Sequence, residues 1–128
     1  MTTLLTYGVA ALGGGLGTVA RLAFSRLVPE SILIPFPLPI LAVNVVGCFV
    51  MGLFAEIMAT AYAFNHHVRT FLTVGFLGGF TTFSAFSMEC FLLLERGQIG
   101  AAVLYGAVTF FLTLMAFFVG MGLIRLCV

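Results

Sequence analysis

The sequence predicts an all-α membrane protein with four transmembrane helices per chain. The third helix is expected to break mid-membrane, and two chains to pair as an antiparallel dual-topology homodimer. Three observations carry this. First, 62% of the 128 residues are hydrophobic and 7% are charged, whereas a soluble domain carries about a quarter charged. Second, four stretches, roughly 4–27, 38–64, 68–94 and 99–126, are apolar enough to cross a bilayer, which takes about 20 residues each. Third, the arginines favour neither orientation. Arg69 and Arg125 fall on one side, Arg26 and Arg96 on the other with Arg21 nearby, and there is no lysine to break the tie. Loop Lys and Arg normally set orientation, so a chain without that bias inserts both ways and can pair head to tail.

The whole chain, 1–128, reads as one transmembrane domain with no room for a soluble catalytic unit. The N-terminal stretch has no basic leader and no clear small-residue cleavage site, so no cleaved signal peptide is expected. Nucleic-acid binding finds no basic cluster to hold phosphates. Cys48, Cys90 and Cys127 are far apart and lack CxxC spacing; they read as small buried hydrophobes rather than a metal site or disulfide frame.

In the first span Gly13 and Gly17 are four apart, the small-xxx-small spacing that lets two backbones approach. Arg21 near its end is either an interfacial residue that snorkels to the headgroups or a positive charge at the mouth of an anion pathway. Pro29, Pro35, Pro37 and Pro39 then fall within eleven residues, ending one helix and delaying the next. The segment 31–40 is expected to lie irregularly along the interface.

The second span places Asn44 in the run Ala-Val-Asn-Val-Val-Gly. A polar side chain in a span is costly unless it faces the bundle interior. Asn44 serves as a helix–helix hydrogen bond or as a donor to a passing anion; both readings stand. Gly47 and Gly52 mark close packing, and Glu56 reads as interfacial. His66 and His67 in the next connection read as solvated.

The third span is the one on which the rest turns. From Gly75 to Ser87 it runs Gly-Phe-Leu-Gly-Gly-Phe-Thr-Thr-Phe-Ser-Ala-Phe-Ser, three glycines and four hydroxyl residues in an uncharged stretch. This is a poor recipe for an uninterrupted helix. Backbone that leaves the helix inside a bilayer must be satisfied by protein, water or a bound ion. The stretch therefore signals either ion handling or close packing of small residues. Phe83 and Phe86 align on one face if locally helical, and Glu89 follows three residues later. An acidic residue this deep is a functional candidate by default, although a structural counterion would also explain it.

The fourth span carries Tyr105, Thr109 and Thr113 at i, i+4 and i+8. Three hydroxyls in one line over about 12 Å read as a polar track. A cation pathway would show acidic rings; this interior offers Glu89 alone, against donors from Asn44, Ser84, Tyr105, Thr109 and Thr113. Aromatic ring edges are positive, so Phe83 and Phe86 suit a small anion. The residues by themselves point to a small dual-topology transporter or channel and leave the ion open.

These motifs resemble the Fluc (CrcB) family of bacterial fluoride channels. The resemblance covers the whole chain: Gly14-Gly15-Leu16-Gly17 through Arg21, Val43-Asn44-Val45-Val46-Gly47 with Gly52, and the long Gly75–Ser87 motif with Glu89. It implies antiparallel homodimers in the bacterial inner membrane with two fluoride pores, through which cytoplasmic fluoride leaves passively. Phe83 and Phe86 match the family's pore phenylalanines, Asn44 its pore asparagine, and Tyr105, Thr109 and Thr113 its tyrosine and hydroxyl positions. The break matches a central site where backbone carbonyls at Gly78 and Thr81 of both subunits hold a structural, untransported Na+. The chain departs from the pattern at Pro39-Ile40, where Gly-Thr is usual, and at Ala85, where Thr or Ser is common.

The competing expectation is a small dual-topology proton-coupled drug exporter. Such exporters carry a membrane-embedded glutamate in the first span, and here the first acidic residue is Glu30, outside it. A non-transporting assembly subunit would leave the Tyr105–Thr113 stripe unexplained. An enzyme is least expected, because no nucleophile–base pair or metal-ligand cluster is seen.

Overall fold

A computed structural model describes residues 2–30, 33, 36–60 and 64–128. Four helical spans account for nearly all of them: Thr2–Leu27, Leu38–Thr60, His66–Glu95 and Ile99–Cys127. Each is long and apolar enough to cross a membrane. Helix α1 is Thr2–Leu27 and α2 is Leu38–Thr60. The third span has two limbs. The first comprises α3 (His66–Arg69), a π-helical stretch Thr70–Leu77 and α4 (Gly78–Phe80); the second is α5 (Phe83–Glu95). Helix α6 is Ile99–Cys127.

The proline-rich connection departs in part from expectation. Leu38, Pro39 and Ile40 already belong to the first turn of α2 rather than to an irregular segment. The first turn of a helix has unpaired N–H groups in any case, so proline costs little there. Of the rest of that segment, residues 31, 32, 34 and 35 lie outside the described residues. At the other end α2 stops at Thr60, residues 61–63 lie outside the described residues, and Phe64 is not helical. Asn65 starts the third span by capping it: its Oδ1 accepts from Val68 N at 2.9 Å. Gly97, at φ +74°, closes α5 in the left-handed region, and Gln98 N donates back to Leu93 O at 2.9 Å.

Glycines set which helices touch. A Cβ on Gly13 would stand 2.6 Å from Phe71 O, and one on Gly17 would collide with Phe76 O. Gly75 and Gly79 meet α1 from the other side, at Gly13 and Gly14. The first limb therefore lies backbone to backbone on α1, the contact that the Gly13–Gly17 spacing anticipates. A second seam joins α2 to α6, where Gly52 backs onto Phe117 O and Gly120 onto Phe49 O. The two helices run parallel, since contacts climb both together from Leu41 with Tyr105 to Glu56 with Arg125. Glu56 is 7% exposed, so its carboxylate is packed within the chain. Its charge is met by Arg125 Nε at 3.0 Å, which a buried carboxylate requires. The second limb joins this pair through Leu41, Leu93, Ala102 and Tyr105.

Gly17→Leu should separate α1 from the first limb, because the obstacle is backbone and cannot move aside. The expected outcome is loss of the monodisperse peak in detergent. Gly15→Ala, where nothing lies within 4 Å, should behave as the parent protein; equal behaviour of the two variants would dismiss the seam.

Candidate ion pathway

Between α4 and α5 the backbone is extended at two residues, Thr81 (φ −79°, ψ 156°) and Thr82 (φ −152°, ψ 120°). Asn44 is opposite. Its Oδ1 accepts from Thr82 N at 2.8 Å and its Nδ2 donates to Thr82 O at 3.0 Å. A side-chain amide thus satisfies both backbone groups of one residue, as a neighbouring strand would. Thr82 also caps α5, its Oγ1 accepting from Ala85 N at 3.1 Å and lying 3.2 Å from Ser84 Oγ. Thr81 stays tied to the first limb: both its N–H and its hydroxyl donate to Leu77 O, at 3.0 and 2.9 Å.

These bonds leave two carbonyls without their usual helical donors. An unbroken helix would give Gly78 O the N–H of Thr82, and Thr81 O that of Ala85. Both N–H groups are committed to side chains instead. Gly78 is exposed on this single chain. Gly78 and Thr81 therefore fit a site built from neutral carbonyl oxygens. Among the described residues no cluster of His, Cys, Asp or Glu offers an alternative metal site.

A cavity of about 450 Å³ opens beside the break, lined by Asn44, Cys48, Thr81, Thr82, Phe83, Phe86, Gly106, Thr109, Phe110 and Thr113. Asn44, Phe83, Phe86, Thr109 and Thr113 are thus brought together. The rings of Phe83 and Phe86 are 5.4 Å apart at 48°, and Phe86 continues to Tyr105 at 5.2 Å. Phe83 is 79% exposed on the single chain.

The fourth-span hydroxyls divide into three environments. Thr109 lines the cavity, is buried, and its Oγ1 has no partner among the described residues. Thr113 lines it too, but its hydroxyl donates to Thr109 O at 2.7 Å. Tyr105 is fully buried behind Phe86, outside the cavity lining, with its hydroxyl unpartnered among the described residues. Ser84 is exposed and also outside the lining; it reaches the site only through Thr82. Arg21 on α1 and Glu89 on α5 are half-buried, and among the described residues no ion pair joins them. Neither lines the cavity. His66 is exposed as expected, but His67 is half-buried, its Nδ1 without a partner among the described residues.

Sequence reasoning passed over four lining residues. Cys48 is one helical turn beyond Asn44, and Phe110 one turn beyond Gly106, so helical spacing alone would have placed both near the site. Thr82 carried a cap signal, a hydroxyl three residues before Ala85 at the start of a helical run. Its bond to Asn44, 38 residues away in sequence, had no local signal.

Asn44→Leu, close in volume, should leave the buried Thr82 N–H without an acceptor. The expected cost is about 1–3 kcal/mol, read as a lower unfolding midpoint in detergent. An unchanged midpoint would mean the clasp contributes nothing to stability.

Comparison with known proteins meets this geometry. Residues 8–121 match the family described as CrcB-like protein, Camphor Resistance (CrcB). The "Fluoride-specific ion channel FluC" of Rhodospirillum centenum is 45% identical over 118 residues, 92% of this chain and 94% of the relative. The protein of the same name from Rhizobium etli is 42% identical over 117 residues, 91% of this chain and 94% of the relative. That of Rhodopseudomonas palustris is 42% identical over 121 residues, covering 94% and 98%. With the match spanning all four helices, the chain belongs to the CrcB family.

Proposed function

We propose that this chain is a fluoride-selective channel of the bacterial inner membrane, a multi-pass protein and not an enzyme. Cytoplasmic fluoride leaves through it passively, which relieves fluoride toxicity. The observation that carries the reading is the cavity beside Thr81 and Thr82. Donors and aromatic rings line it, and none of its lining residues is charged. A bare fluoride ion needs its lost hydration replaced by hydrogen-bond donors. Asn44 has a second amide N–H to give; the Thr109 hydroxyl is enclosed and without a partner among the described residues, and reaches the ion by turning about its Cα–Cβ bond. The edges of Phe83 and Phe86 add positive potential without a charge that would trap the ion. Relatives sharing 42–45% of the sequence are named for the same ion.

The functional unit in this reading is the antiparallel dual-topology homodimer, with the interruption at Thr81 and Thr82 at mid-membrane. The tied arginine count supports it. So does exposure of Phe83 and Gly78 on the single chain, since a partner would cover both. Gly78 and Thr81 of each chain supply carbonyl oxygens to a structural Na+ at the dimer centre, which contributes positive charge and is not itself transported. Tyr105, Ser84 and Thr113 support the pathway: Tyr105 backs Phe86, Ser84 steadies Thr82, and Thr113 braces the Thr109 turn. Arg21 and Glu89 are assigned to the vestibules. The drug-exporter reading is not favoured, because it must route protons through Glu89, and Glu89 does not line the cavity.

Proteoliposomes holding only this protein should release fluoride quickly and chloride not at all, with no pH gradient needed beyond charge compensation. A fluoride electrode and a chloride electrode read the two. Silent vesicles containing folded dimer would end the fluoride reading. Phe83→Ile and Phe86→Ile should each slow fluoride efflux by about 2- to 12-fold, since a ring contact is worth about 0.5–1.5 kcal/mol, while the dimer persists on size exclusion. Unaltered efflux from both would remove the rings from the pathway.

A further inference from the structure

Two backbone donors are diverted at the break, and each diversion frees one carbonyl. Thr82 N goes to Asn44 Oδ1 at 2.8 Å instead of Gly78 O. Ala85 N goes to Thr82 Oγ1 at 3.1 Å instead of Thr81 O. Asn44 and Thr82 are 7% and 8% exposed, so water cannot stand in for either acceptor. Thr82 takes part in both exchanges, through its backbone in one and its hydroxyl in the other. We propose that Thr82 is a positioning residue whose hydroxyl, together with Asn44, keeps the Gly78 and Thr81 carbonyls free to hold a monovalent cation. The inference rests on the carbonyl site in the proposed function and assigns what creates it.

The chemistry follows from what each group can do. Helix α5 starts at Phe83 because its N-cap hydroxyl occupies Ala85 N. Remove the hydroxyl, and the partly buried Ala85 N–H loses its acceptor, which is unfavourable. Its ordinary helical acceptor is Thr81 O. Helix α5 then grows backward and consumes the carbonyl. Ser84 Oγ, 3.2 Å from Thr82 Oγ1, helps hold the hydroxyl in its capping position. On the other limb Gly78 is exposed on the single chain, and the N–H that would ordinarily reach its oxygen, that of Thr82, is held by Asn44 Oδ1. Neutral carbonyls without carboxylates suit a singly charged ion rather than a divalent one, which favours carboxylate oxygens. The same clasp therefore shapes the cavity wall at Thr81 and Thr82 and frees the carbonyls.

The test is a Thr82 series, Thr82→Ser, Thr82→Cys and Thr82→Val, in the full-length protein in detergent. Sodium chloride is titrated against N-methyl-D-glucamine chloride at constant ionic strength. The readout is the Na+ concentration that half-maximally raises the unfolding midpoint. Thr82→Ser should match the parent. Thr82→Val, with no acceptor, should need about tenfold more Na+, and Thr82→Cys, a weak acceptor, should fall between. A Na+ requirement that follows side-chain volume rather than acceptor strength would overturn the inference and leave the cation site standing. So would unchanged Na+ requirements across the series. If Thr82→Val does not fold, the Ser–Cys comparison decides alone. A parent protein indifferent to Na+ would overturn both the inference and the cation site, whatever its fluoride flux.

Discussion

The amide of Asn44 bonded to the peptide of Thr82 is the constraint on which the rest depends. Inside a bilayer a peptide group that leaves its helix has no water to turn to. Asparagine carries the same donor and acceptor as a peptide, at a similar spacing, and so can replace a missing neighbour on both counts. The amide offers its donor and its acceptor on separate atoms, so it meets the Thr82 N–H and C=O at once. It also ties α2 to the junction of the two limbs. The cavity is the space left where α2, the junction and α6 meet.

Everything around the clasp brings backbones close enough for it to form. Gly47 lies directly against Thr81, where any Cβ would strike Thr81 Cγ2. The first limb is pressed to α1 through Gly13, Gly17, Gly75 and Gly79, and α2 to α6 through Gly52 and Gly120. Between helices in lipid the driving force is packing and hydrogen bonding rather than apolar burial, so shape must be met closely. The π-helical stretch Thr70–Leu77 spans the α1 seam, and π turns are often found where function constrains a helix. The ion pair of Glu56 with Arg125 closes the α2–α6 seam at its end. Its position beyond the last glycine contact suits a boundary where one partner, Arg125, stays largely exposed.

The polar side chains thus fall into two groups. Thr81, Thr82, Ser84 and Thr113 spend their hydroxyls on the protein itself. The Thr109 hydroxyl is enclosed with no partner among the described residues, and Asn44 keeps a second amide N–H. In the proposed channel this separation matters. Donors already committed to backbone do not compete for the ion, so a pathway that must bind weakly enough to release presents few of them.

How much of this was legible in the sequence depends on range. The four spans were, because hydropathy over about 20 residues is a local property. The small-residue seam of Gly13 with Gly17 was also legible, because helical spacing puts both on one face. The stripe of Tyr105, Thr109 and Thr113 was read correctly as one face, yet its members differ: a tyrosine behind Phe86, a free threonine, and a threonine turned back on its helix. Periodicity reports direction, not partners. The first turn of α2 was misread, since four prolines argue against helix except where the helix begins. The burial of Glu56 had no local signal, because its counterion is 69 residues away. By itself the sequence determined the membrane, the spans, the glycine faces and the unusual composition of Gly75–Ser87. Only the tertiary structure decided that Asn44 pairs with both backbone groups of Thr82, which takes from Gly78 O its usual donor. Those bonds join residues distant along the chain, and no local pattern can encode which partner arrives.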